Sequence, residues 1–311
     1  MNRENKYAYD SGLPFSTKLH ENIQDLYDRV RKKGKAACII IDGGVGEGKT
    51  TLAVEIADEI NKLHGGEVID LTLKGHCQIG MGGREFVKNI RITFKNDLAV
   101  VVYDEGGDFN KRGALTQFNQ MLNRLFETYR AFKIIVIICL PCFDIIDKDL
   151  LKKNIPRMLI HCEDRNQNYG NFKAYSLYKM FYICDLMKKL TVPSFAYELV
   201  EANFVGHFLN LPPEREKLLD KLCTSAKLLE TEKAEIQMDG LISARDIARK
   251  LAKTVSWVSI ALKELRILPE RKISKTQYYK EEVVLEALWS HRIRSETEAE
   301  KRERGKSKKN R

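Results

Sequence analysis

The sequence predicts an α/β fold, a largely parallel β-sheet with helices on both faces, followed by a small helical unit. Three observations predict it. Apolar runs rich in β-branched residues, Ala36 to Ile41, Leu98 to Tyr103 and Lys133 to Leu140, alternate with stretches of helical periodicity, as strands buried on both faces do. A glycine-rich octapeptide, Gly43-Gly44-Val45-Gly46-Glu47-Gly48-Lys49-Thr50, lies between the first run and a helix-forming stretch. Beyond Leu211-Pro212-Pro213 the alternation ends and short helical segments take over.

Leu19, Ile23, Leu26, Tyr27 and Val30 recur at helical spacing, so residues 17–33 read as an amphipathic helix that Lys32-Lys33-Gly34 terminates. The octapeptide leads into a helix through Leu63, stopped by His64-Gly65-Gly66. Glu67 to Leu71 reads as a short second strand, while residues 72–95 fit no single pattern. Leu98 to Tyr103 is a buried strand, 114–130 a helix, Lys133 to Leu140 a strand, Asp144 to Lys153 a helix, and Arg157 to Cys162 a strand. The turn residues Asn166 to Asn171 predict an antiparallel hairpin into a strand over Ala174 to Met180, and Glu214 to Gln237 reads as a charged helix. The implied organisation is an N-terminal helix (1–35), an α/β domain (36–210), a helical connector (211–240), a small helical unit (241–290) and a basic disordered tail (291–311).

With 43% apolar and 31% charged residues the chain is that of a globular protein. Its longest apolar run, Ile134 to Leu140, is far below the roughly 18–20 residues that span a bilayer, and the N-terminus has no signal-peptide core, so a cytoplasmic protein without membrane insertion is expected. Seven cysteines, several inside apolar runs, are expected to be reduced; Cys139 and Cys142 form a lone C-x-x-C with no second pair at zinc-site spacing. The net charge of +10 is concentrated toward the C-terminus: residues 291–311 hold nine Lys/Arg against four Glu. That asymmetry points to a nucleic-acid or other acidic partner.

The octapeptide is a complete P-loop. Its glycines allow a turn tight enough for consecutive N–H groups to face phosphate oxygens, and the helix that follows presents its positive end to them. Gly43, Gly44, Val45, Gly46, Glu47, Gly48, Lys49, Thr50 and Thr51 are therefore the expected ATP-binding residues, with Lys49 reaching the β- and γ-phosphates and Thr50 placing its hydroxyl on Mg²⁺. Asp104, ending a buried strand, is the expected second Mg²⁺ contact, and Glu105 the expected general base for an attacking water. The adjacent pair suits water activation better than phosphoryl transfer to a metabolite.

The P-loop, the strand ending Tyr103-Asp104-Glu105, and the arginine-bearing helix up to Tyr129-Arg130 with strand Lys133 to Leu140 resemble the FtsK/HerA branch of P-loop ATPases, and also zonula occludens toxin-like phage ATPases. The resemblance covers residues 36–182 and extends to Gly106 to Arg112, Pro141 to Lys148 and Arg157. It implies a RecA/ASCE-like fold and a ring-forming motor that moves DNA in segregation, conjugation, packaging or extrusion. Such motors complete the site with an arginine from the neighbouring subunit, for which Arg112, Arg124, Arg130 and Arg157 are candidates, Arg157 and Arg130 foremost. One departure is Leu140-Pro141, where the family often has a polar residue, typically Gln.

In the C-terminal segment, Ser243 to Ala252 and Thr254 to Leu265 read as two helices with a short junction. A core of Ile247, Ala248, Leu251, Val255, Val258, Leu262 and Leu265 resembles a helix-turn-helix, with Lys272 to Tyr279 as a wing. In that geometry Ser256, Trp257, Ser259 and Lys263 face DNA bases while Arg245 and Lys253 meet phosphates. The leading expectation is an oligomeric Mg²⁺-dependent ATPase that translocates or remodels double-stranded DNA. The alternatives are an ATP-switched, site-specific DNA-binding regulator or partition or replication-initiation protein, and a phage secretion or assembly ATPase acting on protein.

Overall fold

The parallel core of the sheet is dictated by strands that are apolar on both faces. The computed structural model describes residues 13–35, 37–72, 78–104, 120, 122, 132–146, 148–166, 168–273 and 276–291. The chain divides into two compact units, 1–227 and 228–311.

In the first unit the strands are β1 (Ala37–Gly43), β2 (Ile79–Gly80), β3 (Val100–Tyr103), β4 (Ile135–Leu140), β5 (Pro156–Arg165), β6 (Tyr169–Ser176) and β7 (Phe204–Leu209). They lie in the order β2-β3-β4-β1-β5-β6-β7. The first five run parallel, and β6 and β7 extend the sheet antiparallel. Every residue of β1, β3 and β4 is buried, because both faces of these strands are covered by helices.

One face carries α1 (Thr17–Arg31) and α2 (Lys49–Leu63). There Leu19 and Ile23 of α1 and Leu52, Ile56 and Ile60 of α2 pack on Ile39, Ile41, Val100 and Ile137. The other face carries α3 (Gly83–Lys95), α4 (Lys148–Lys152), α5 (Leu177–Met187) and α6 (Ala196–Leu199). Phe86, Leu150, Ile183 and Tyr197 close over Cys38, Ile40, Val136 and Ile138 there. Alternate residues of β1 thus serve two separate cores. The outer side of β7 is met by the chain just before α1, where Leu209 N–H donates to the Pro14 carbonyl at 2.7 Å and Ser16 N–H to the His207 carbonyl at 3.1 Å.

Helix α2 also buries three acids, Glu55, Asp58 and Glu59. Asp58 accepts from Ile69 N–H at 2.7 Å and from Arg215 at 2.7 Å, and Glu59 meets His20 of α1 at 3.2 Å. Arg215 comes from α7 (Pro213–Met238), whose first half belongs to this unit.

The second unit contains β8 (Leu241–Ser243), α8 (Ala244–Lys250), α9 (Val255–Glu264), β9 (Arg271–Ile273), β10 (Thr276–Lys280) and a helix, α10, over 281–291. The three strands form an antiparallel sheet in the order β8-β10-β9. Ser243 and Thr254 cap their helices by accepting from Asp246 N–H and Trp257 N–H. Ile242, Ile247, Leu251, Val258, Leu262, Tyr279, Val284 and Leu288 form a core of their own.

Several expectations are corrected. Residues 67–71 form no strand, because Ile69 N–H is taken by Asp58; the strand beside β3 is the two-residue β2. The expected strand to Met180 ends at Ser176, and the chain turns into α5, whose Met180, Ile183, Cys184 and Met187 form a buried helical stripe. The helix expected from Asp144 is a 3₁₀ turn at Phe143–Ile145 followed by α4. Val255 is 45% exposed rather than in the core, since it opens α9. The helix expected at 114–130 lies outside the described residues save for 120 and 122.

Glu55 yields a pH test. Burial above all, then the neighbouring Asp58, raises its carboxyl to about 7 from an ordinary 4.5. Its contribution is therefore fully present below about pH 4.5 and lost as the pH rises through 7. Glu55→Gln should raise the melting temperature at pH 8, by about 2–4 °C for each kcal/mol recovered, and change it little at pH 5. Thermal unfolding at the two pH values reads the difference.

Candidate nucleotide site

The parallel register brings the C-terminal ends of β1, β3, β4 and β5 to one side of the sheet. The P-loop leaves β1 there and enters α2. Gly43 must be glycine because a Cβ would lie 2.6 Å from the Cys162 carbonyl of β5. Gly48, the residue before α2, has φ +83°, and a Cβ on it would meet the Arg165 and Phe208 side chains at 2.8 Å. Lys49 folds back over the loop, its Nζ donating to the carbonyls of Gly43 at 2.8 Å and Gly44 at 2.6 Å. Glu47 closes the loop from the other side by accepting from Gly44 N–H. Val45 projects into solvent, Gly44 and Gly46 are exposed, and Thr51 is buried in the first turn of α2.

Strand β4 lies between β1 and β3, so Asp104 is one strand removed from the P-loop strand. Helix α2 bridges that gap: Thr50 Oγ1 donates to Asp104 Oδ2 at 3.0 Å. Asp104 N–H is itself held by the Gly80 carbonyl at 2.9 Å. Two hard oxygens beside a helix N-terminus fit Mg²⁺, which takes one or two protein oxygens and fills its shell with phosphate and water. No cluster of three or more metal-ligating His, Cys, Asp or Glu side chains occurs among the described residues.

A second network supports the loop from beneath. Asp42, buried at the residue before Gly43, accepts from Phe143 N–H at 3.0 Å and from the Tyr197 hydroxyl, and lies 2.9 Å from His161 Nδ1. His161 stacks on Tyr197 with ring centroids 3.6 Å apart. Burial first, then Asp42, pushes the Tyr197 phenol well above its usual range, so it stays a donor. Asp42 thereby ties the end of β1 to β5, to α6 and to the chain after β4. Sequence reasoning missed it, although an acid ending an apolar strand just before a P-loop was the available signal. Arg165 was missed too. Its side chain lies against Gly48 and its guanidinium donates to Asn210 at 2.7 Å and to Glu216.

Of the other expected residues, Glu105, Arg112, Arg124 and Arg130 lie outside the described residues. Arg157 sits at the opposite end of the sheet from its own P-loop: it precedes by five residues Cys162, the partner of Gly43, a separation of roughly 16 Å at about 3.3 Å per residue. Cys139 and Cys142 are free; burial pushes Cys142 up to about 12 and Cys139 well above the usual thiol range, so both are held as thiols. In the second unit Arg245, Ser256, Ser259 and Lys263 are exposed, the last three on the side of α9 away from Val258, Ala261 and Leu262. Ser259 Oγ donates to the Val255 carbonyl at 2.9 Å. Trp257 is half-buried beneath Lys253, whose ammonium lies 5.5 Å from its ring centroid.

A mostly parallel sheet flanked by helices, with this loop between its first strand and α2, defines a P-loop NTPase fold. No family model and no curated protein matches the chain. Among solved structures, the chain is similar to a KaiC-like protein from the hyperthermophilic archaeon Pyrococcus horikoshii OT3, at 12% identity and a TM-score of 0.30 over 46% of this chain and 79% of that one. At that level of likeness the fold assignment rests on the chain's own strand order and loop geometry. Among the described residues no helix is long and apolar enough to cross a membrane.

Asp42→Ala should destabilise the protein by about 3 kcal/mol, because it strands the buried Phe143 N–H and Tyr197 hydroxyl, each at a cost of about 1–3 kcal/mol. Urea unfolding measures it; a destabilisation below about 1 kcal/mol would mean that Asp42 is not the tie described.

Proposed function

We propose that the chain is a Mg²⁺-dependent ATPase of the RecA/ASCE-like P-loop class that couples hydrolysis to translocation or remodelling of double-stranded DNA. The observation that carries the ATPase reading is the Thr50–Asp104 hydrogen bond across β4, with the Lys49 ammonium anchored over the same loop. An ammonium has three donors. Two of those on Lys49 are taken by carbonyls, which leaves the third for a phosphate oxygen. Thr50 and Asp104 supply the oxygens for Mg²⁺, which when bound neutralises charge building on the phosphates. The amides at the start of α2 hold the triphosphate, and Glu105 takes the proton of the attacking water.

The DNA reading is carried by the second unit, taken as a winged helix-turn-helix: α8 and α9 are joined by a four-residue turn, 251–254, and β9 and β10 form the wing. Ser256, Trp257, Ser259 and Lys263 on α9 would face DNA, with Arg245 and Lys253 on phosphates. Assembly into a ring, with an arginine reaching the neighbouring nucleotide, is part of the same proposal. The alternative, an ATP-switched site-specific regulator or partition or replication-initiation protein, is favoured by the compactness of that unit and predicts slow, site-dependent turnover.

ATPase rates with and without duplex DNA, run beside a native mass measurement, test the reading. Turnover should be DNA-stimulated and the mass a multiple of the 35.9 kDa chain. Lys49→Ala should abolish nucleotide binding. Glu105→Gln should retain binding and drop about 10²–10⁴-fold in turnover, and a variant as active as the parent would remove Glu105 as the base.

A further inference from the structure

Strand β5 runs past Cys162, the partner of Gly43 in β1, and ends at Arg165. The β5–β6 hairpin therefore stands beside the P-loop, on the side of β1 opposite β4 and Asp104. The Arg165 stem crosses the loop at Gly48, where an added Cβ would lie 2.8 Å from its Cδ, and the Phe208 ring backs the same residue at 2.8 Å. Nε and the terminal nitrogens follow Cδ directly, so the guanidinium is within side-chain reach of the amides that open α2. It is held from outside the loop. Nε donates to Asn210 Oδ1 at 2.7 Å, just past β7, and Nη2 donates to Glu216 in the first turn of α7. Nη1 has no partner among the described residues and stays open to solvent, since Arg165 is only partly buried. The neighbouring acids are committed to other groups, Glu163 to Lys173 at 2.5 Å, Asp164 to Asn171 at 2.8 Å and Glu47 to Gly44 N–H. Among the described residues, Glu216 is thus the carboxylate that neutralises Arg165.

That balance favours exchange. A triphosphate carries several negative charges and presents paired oxygens to the planar fork of arginine, whereas Glu216 offers one charge and is 33% exposed, so water screens the pair. Asn210 and the contact with Gly48 keep the stem in place while the terminal nitrogens change partner. We infer that Arg165 contacts the phosphates of the bound nucleotide from within the same chain, and that Glu216 competes with them for its guanidinium. The inference rests on the reading of the chain as an ATP-binding P-loop protein and adds a residue that the P-loop motif does not specify, separate from any arginine supplied by a neighbouring subunit. Occupancy of the loop is then read by α7. Arg215, beside Glu216, is tied to Asp58 of α2 at 2.7 Å, so the first turn of α7 is joined both to the helix that follows the P-loop and to the strand beside it.

Calorimetric titration of the full-length protein with Mg·ATP, and separately with Mg·tripolyphosphate, tests the contact. Arg165→Ala should weaken both ligands roughly tenfold, the loss of one charge-assisted hydrogen bond. Arg165→Lys, which keeps the charge without the fork, should fall between that variant and the parent. Glu216→Gln removes the competitor and should tighten both ligands about threefold. Opposite signs at the two ends of one ion pair are the signature, because a purely structural brace would weaken binding when either end is removed. Melting temperatures confirm that the variants are folded, and Glu216→Gln, similar in shape and partly exposed, carries the test if Arg165→Ala does not fold. Unchanged affinity in Arg165→Ala, or unchanged or weakened affinity in Glu216→Gln, with Lys49→Ala still abolishing binding, would overturn this contact and leave the ATP-binding reading standing. A loss in Arg165→Ala confined to ATP would overturn the assignment to phosphate. A parent protein that binds neither ligand would overturn both readings.

Discussion

The Thr50–Asp104 hydrogen bond constrains the rest of the nucleotide-binding unit. A hydroxyl on the first turn of α2 meets a carboxyl at the end of β3 only if α2 lies across β4, with β3 and β1 on either side and all three strands parallel and in register. That requirement explains why β1, β3 and β4 are apolar on both faces. Helix α2 needs a bed on one side, and in this parallel sheet a second layer of helices covers the same strands from the other. The acids on α2 then follow, since Asp58, Arg215 and Ile69 fix the helix where apolar packing alone would let it slide.

Around the loop, two kinds of support act at different ranges. Backbone and side-chain contacts within the loop, from Lys49 to two carbonyls and from Glu47 to Gly44 N–H, set its shape. Asp42 sets its position relative to the sheet by gathering donors from β5, α6 and the chain after β4. Just beyond β4, Phe143 N–H is committed to Asp42, so the segment that follows this strand braces the loop.

The strands with long β-branched runs were legible because their burial on two faces leaves a compositional mark, and the P-loop because each of its residues answers a local demand. Asp104 was legible as an acid ending such a strand. The rest depended on partners remote in sequence. Strand β2 is two residues long and carries no periodicity. Residues 67–71 have the alternation of a strand in Ile69 and Leu71, yet their backbone is claimed by a side chain eleven positions earlier. Helix α5 was hidden by tyrosines and a phenylalanine that favour strands, and the stripe of Met180, Ile183, Cys184 and Met187 prevailed. Arg165 and Asp42 gained their places through contacts with residues 45 to 155 positions away, which no local pattern reports.

The two margins of the large sheet differ from its centre in a way that bears on how copies of the chain can meet. One margin is β2, only two residues long; the other, β7, has its outer side met at Leu209 and His207 by the backbone of Pro14 and Ser16. Among the described residues, neither margin of this sheet offers a long free ladder for strand addition, a common route by which β-rich proteins aggregate. Association through the margins of this sheet would therefore rest on side chains, which makes it sensitive to point substitution and to salt rather than to backbone exposure.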